Sequence, residues 1–197
     1  MPLGANKVAL FGSSGVVTDT SILLATGVAS ASASLAFTIP TTYKEIVFGF
    51  YNINPATDRT QFTFQVNSTN DAGGDYDVSL ITSTYFVAYH GIDAQDTALT
   101  YHATYDQAQA AGFQTVAYQV GGGADESAAG ILHLFSPAST TYVKHFYSRS
   151  QVFHGANYSQ DQYAAGYIND ASYAIDDIQF KMSSGNFDGT IKMWGVL

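Results

Sequence analysis

The chain has 197 residues, no cysteine, 46% hydrophobic residues, 12% charged residues and a formal net charge of −9. Soluble domains carry about 25% charged residues, so roughly half of the usual charge is replaced here by Tyr, Phe, Thr, Ser, Gln, Asn, Ala and Gly. Thiol chemistry, disulfides and cysteine-ligated metals are excluded, the acidic balance disfavours a nucleic-acid partner, and 14% aromatic residues argue for a packed core rather than disorder.

The first apolar stretch, from Val8 to Ala36, is interrupted by Gly12, Ser13, Ser14, Gly15, Thr18, Asp19, Thr20 and Ser21. No run there approaches the ~18 apolar residues of a spanning helix, and no membrane partner is expected. Lys7 and Ala31-Ser32-Ala33 resemble the flanks of a signal peptide, but Asp19 splits the apolar region that such a peptide needs. Residues 1–29 hold few large apolar side chains (Val8, Leu10, Phe11, Ile22, Leu23, Leu24). They read as an extended N-terminal arm that docks along a neighbour, ahead of one domain over residues 30–197.

Within that domain, period-two alternation recurs. Ile46, Phe48 and Phe50 alternate in a run that stops at Asn54-Pro55. Gln61–Asn67 sets Phe62, Phe64 and Val66 on one face against polar residues on the other, which predicts a half-buried antiparallel strand. Ser79–His90, Ala128–Phe135 and Tyr142–Phe153 are rich in β-branched and aromatic residues. Val116, Tyr118 and Val120 alternate up to Gly121-Gly122-Gly123, and Ile178, Phe180 and Met182 alternate ahead of a last strand over Thr190–Leu197. Only Ala103–Ala111 suggests a helix. Without βαβ alternation, many short strands with Gly-rich turns predict an all-β fold, an antiparallel β-sandwich of jelly-roll type.

Motifs of catalysis are missing. Gly12-Ser13-Ser14-Gly15 has the wrong spacing for a nucleophile elbow, and the glycines at 121–123 lack the Lys of a phosphate loop. His90, His102, His133, His145 and His154 form no pair at metal-binding spacing. Asp71, Asp75 and Asp77 share one loop and Asp93 and Asp96 another; turn residues account for both, with calcium as the alternative. Asp176 and Asp177 are strand neighbours that point to opposite faces, a poor acid/base pair. Tyr101, Tyr105, Tyr158, Tyr163, Tyr167 and Tyr173 lie in polar surroundings and suit a subunit interface or a sugar-binding surface.

Three segments carry a resemblance. Ile39-Pro40-Thr41-Thr42-Tyr43-Lys44-Glu45-Ile46, the stretch Leu134–Phe146 around Tyr142-Val143-Lys144-His145-Phe146, and Ile178–Gly195 around Ser184-Gly185-Asn186 resemble the opening strand, a central signature and the closing hairpin of a group of tailed-bacteriophage virion structural proteins. Trp194 stands where that group commonly has Tyr. Met1–Lys7 is similar to short openings of marine-phage structural proteins.

The resemblance implies a jelly-roll-like virion component in many copies, a homo-oligomer (a trimer, for example) that contacts the major capsid protein or tail proteins. It carries over no catalytic residue, metal or cofactor. The expected function is therefore a non-enzymatic capsid decoration or cement protein of the virion. The alternative is a tail-fibre or baseplate adhesin that binds host glycans.

Overall fold

Thirteen strands and no helix are formed by the residues that the computed structural model describes, 21–71, 74–94 and 96–197. In chain order they are β1 (Ser21–Ser32), β2 (Ser34–Thr38), β3 (Glu45–Pro55), β4 (Thr60–Ser68), β5 (Ile81–Gly91), β6 (Thr97–Tyr101), β7 (Ala108–Ala110), β8 (Gln114–Val120), β9 (Ala128–Phe135), β10 (Lys144–His154), β11 (Tyr158–Ile168), β12 (Ile175–Met182) and β13 (Phe187–Val196). Every pairing is antiparallel.

One run of strands goes β1-β13-β3-β9-β10-β11-β5, with the short β6 and β7 on the far edge of β5. A second run, β8-β4-β12-β2, joins the first where His154 of β10 pairs with Val120 of β8. At the other side β1 passes into β2 through a bend at Ala33. The sheet is thus nearly closed into a barrel, a geometry that leaves few free edges.

Alternation decides what fills it. Phe48, Phe50, Phe62, Phe64, Phe180 and Phe187 are buried and pack between the two runs. Phe180 is the hub, with ring centroids of Phe48, Phe50 and Phe62 at 5.1, 5.3 and 5.8 Å. These distances suit edge-on and offset aromatic contacts.

Several expectations change. Residues 1–20 of the expected arm lie outside the described residues, whereas Ser21–Ala29 are in β1, paired with β13. Small Ser, Thr, Ala and Gly residues serve on an edge strand because its outer positions are exposed. Ala103–Ala111 is no helix: turns and bends lead into β7, which pairs with β5. β4 is buried on both faces, because Thr63, Gln65 and Asn67 are covered as fully as its Phe residues. β11 carries no strand signal of its own, since its inward positions include Gln160, Gln162 and Ala164.

The three segments that carry the resemblance meet at one end of the barrel. Lys44 N–H donates to Val196 O at 2.9 Å, and Ser136 N–H donates to Lys44 O at 2.6 Å. A Cβ on Gly195 would come within 2.5 Å of the Tyr43 ring, so glycine is required for that contact. Lys144 is fully buried, and its ammonium donates to the carbonyls of Asp170 and Tyr173. Burial holds its pKa below the ordinary lysine value. The turn between β12 and β13 uses Gly185 at φ +75°, as Ser184-Gly185-Asn186 suggests.

Candidate functional site

The inner face of β11 and β5 is lined by glutamine and tyrosine rather than phenylalanine. Gln162, fully buried, accepts the Tyr118 N–H at Oε1 (2.5 Å) and donates through Nε2 to the Tyr118 carbonyl (3.0 Å). Its amide thus satisfies both main-chain groups of one residue of β8, as a neighbouring strand would. Tyr85 OH donates to the same oxygen, and Gln162 Nε2 also donates to Gln160 Oε1 at 2.6 Å. Gln114 takes the Ser83 hydroxyl at 2.6 Å and donates to the carbonyls of Tyr105 and Thr115.

This support holds an irregular strand. Between Thr60 and Phe62 of β4 the partners in β8 jump from Val120 to Ala117, so two residues of β8 oppose one of β4. Gln119 sits in this bulge at φ +50°, a left-handed conformation that a glutamine rarely adopts. The bulge brings the Gln119 side chain to His154, whose Nε2–H donates to Gln119 Oε1. The Ala156 N–H donates to His154 Nδ1 at 2.9 Å. The tautomer is therefore fixed with hydrogen on Nε2. Burial first, then the positive charge of Arg59, pull the His154 pKa below its ordinary value, so the ring is neutral at pH 7.

These residues form one wall of a cavity of about 280 Å³, lined also by Tyr89, His102, Tyr158, Gln160 and Asp96. The rings touch in series: His102–Tyr118 at 5.4 Å, Tyr118–His154 at 5.9 Å, His154–Tyr158 at 5.5 Å and Tyr158–Tyr89 at 5.5 Å. Tyr158 OH donates to Asp96 Oδ2 at 3.1 Å, which raises the Tyr158 pKa. A wider trough of about 530 Å³ lies over Ala129 and Gly130 on the other sheet face, but its charged groups already satisfy each other: Arg149 forks onto Asp161 at 2.9 and 2.7 Å.

Of the tyrosines singled out in the sequence, Tyr158 lines this cavity, and Tyr105 packs behind it on Tyr118 at 4.5 Å. Tyr101 bonds Asp106, Tyr163 stacks on Phe86 at 4.8 Å, Tyr167 lies beside Gln109 (3.4 Å) and Tyr173 is exposed. His102 and His154 are brought together here; His133 is bound to Glu45 and His145 lies edge-on to Tyr167. Asp71, Asp75 and Asp77 bring carboxylate oxygens within 4.8 Å of one another. Asp176 accepts from Asn67 and Asp177 from Thr38. The register irregularity between Ile175 and Asp177 breaks the alternation expected to send them to opposite faces, and both lie half-buried between the fully buried Ile175 and Ile178. Tyr89, Tyr118, Gln119 and Gln160 are not legible in the sequence as site residues. Alternating Gln160 and Gln162 in a tyrosine-rich run is the one available signal.

No protein-family model matches the chain, and no curated protein matches it significantly.

Proposed function

We propose that the chain is a structural protein of a tailed-bacteriophage virion, a capsid decoration protein present in many copies on the particle and acting without catalysis. The observation that supports this reading is the convergence of the three resembling segments. Tyr43, Lys144 and Gly195, which belong to them, all have structural work to do at one end of the barrel, by ring packing, buried hydrogen bonding and close approach. The sparse basic residues are engaged in the same way. Lys181 lies over the Phe113 ring at 3.8 Å and Lys192 over Tyr51 at 5.5 Å. A surface dominated by negative charge limits non-specific sticking. Exposed Tyr51, Phe86, Leu99, Ile131 and Tyr147 offer apolar area for neighbouring subunits and for capsid or tail proteins. The jelly-roll form of the fold, the homo-oligomer (a trimer, for example) and the docking arm belong to this same proposal.

Quantitative mass analysis of purified particles tests it. Copy numbers on the scale of the capsid lattice are expected, and the few copies typical of a tail would remove the decoration role. A second reading, a tail-fibre or baseplate adhesin for host glycans, is favoured by one observation: the tyrosine, histidine and glutamine cavity around Tyr158.

A further inference from the structure

We infer that the cavity between β8, β11 and the β5–β6 turn is a binding site for one neutral sugar unit, a hexose or an N-acetylhexosamine. This gives the adhesin reading its ligand class and rests on that reading only for its biological setting.

The chemistry of the walls selects the ligand. Tyr118, Tyr158 and Tyr89 contribute aromatic rings to the lining, and His102, Gln160 and Asp96 contribute polar groups to the same space. Gln160 is nearly fully buried, and its Oε1 is taken by Gln162, which leaves the amide nitrogen to donate. The Asp96 carboxylate has acceptor capacity beyond the Tyr158 hydroxyl. A purely apolar guest would strand these groups without partners. An anion would meet Asp96 and a neutral His154, while the nearby Arg59 guanidinium is occupied by Gly155 O at 3.2 Å and Asp58 at 3.9 Å. A pyranose supplies what remains: an apolar ring face for the tyrosines and a rim of hydroxyls that both donate and accept. The volume of about 280 Å³ is room for about one such ring.

The site is also preorganised. Gln119 is held in a left-handed conformation within a bulge, and both main-chain groups of the preceding Tyr118 are held by Gln162. Strain of this kind persists where the surroundings over-determine it, and bulges re-aim side chains beside functional sites. His154 is locked in one tautomer by bonds at both nitrogens. These features fix the cavity before any ligand arrives.

The test is a titration of the ¹⁵N-labelled full chain with the methyl glycosides of glucose, galactose, mannose and N-acetylglucosamine, with inorganic phosphate as the charged control. At least one glycoside is expected to shift the amides of Gln119, Tyr158 and Gln160 in a saturable way, with a dissociation constant of about 1 mM, as suits so small a ligand. Phosphate is expected to leave them unmoved. Tyr158→Ala, confirmed as folded by its dispersed spectrum, should weaken binding roughly tenfold or more; His102→Ala provides a second, rim variant should Tyr158→Ala not fold. The inference is overturned if no glycoside shifts these amides, if the shifts fall elsewhere, if phosphate saturates the site, or if the folded variant binds like the parent. Particle copy number is unaffected by any of these outcomes, so the decoration reading stands or falls separately.

Discussion

The barrel interior has two unlike halves on one continuous sheet face. Beneath β3, β9 and β12 it is filled by phenylalanine rings centred on Phe180. Beneath β5, β11 and β8 it is filled by Gln114, Gln160, Gln162, Ser83 and Tyr85, joined by hydrogen bonds. Apolar packing is non-directional and scales with area, so the phenylalanine half supplies stability without demanding one arrangement. A buried polar network is different: its bonds must be made completely or each orphan costs free energy, so it specifies geometry. The polar half is the one that carries the bulge at Gln119 and the cavity beside it. Directional bonding is what lets that half hold a shaped space instead of collapsing.

The difference can be broken most severely from the apolar side. Phe180→Ala removes the ring on which the other rings converge and should cost about 3–5 kcal/mol. Urea unfolding would show this as a lower midpoint with an unchanged slope. In whatever fraction stays folded, the amides of Gln119 and Gln160 should keep their positions, because the Gln162 bonds to Tyr118 do not involve Phe180. A small loss of stability would mean that the phenylalanine half is not the main source of stability.

This contrast explains what the sequence can reveal. Strands over the apolar half announce themselves, because Ile46-Phe48-Phe50 and Ile178-Phe180-Met182 alternate with polar residues, as a sheet face demands. On the opposite face of β4, and in the polar half, the same rule misleads. Alternation assigns Gln65 to solvent, yet it is fully buried with its amide nitrogen donating to Ser79, Ala111 and Gly112 carbonyls. Glutamine is usually exposed, and its three acceptors come from two distant loops that only the folded chain brings together. β11 escapes the pattern for the same reason. The cavity draws on several strands and turns, so Tyr158 and His154 are visible as residues but not as neighbours.

A smaller effect would sharpen the comparison. Gln162→Leu keeps the volume but leaves the Tyr118 N–H and carbonyl and the Tyr85 hydroxyl without their partner. Each buried orphan costs about 1–3 kcal/mol, partly relieved as the bulge relaxes. The loss falls below that of Phe180→Ala only as far as the relaxed bulge lets water or new partners reach these groups, and it should therefore be accompanied by displaced Gln119 and His154 resonances. A destabilised protein with an unmoved bulge would show that Gln162 acts only as filler.

The least disruptive probe is pH, because ionisation separates the halves without changing a residue. Burial, followed by the neighbouring Tyr118, pushes the Tyr105 hydroxyl up to about 12, and burial drives Tyr85 well above its ordinary 10.0. An unfolded tyrosine ionises near pH 10. Above that pH the unfolded chain has released protons that the folded chain still holds, so stability falls as pH rises toward 12. Lys144 acts with the opposite sign. Burial depresses its folded pKa, so below the unfolded value of 10.5 the unfolded chain holds its proton more tightly, and stability rises with pH through that window. Urea midpoints measured from neutral pH to about pH 12 should therefore rise slightly and then drop. Tyr105→Phe should flatten the drop, and Lys144→Met should erase the rise. Equal drops in Tyr105→Phe and the parent would mean that the Tyr105 hydroxyl is freely solvated and that Tyr105 has no part in the electrostatic division of the interior.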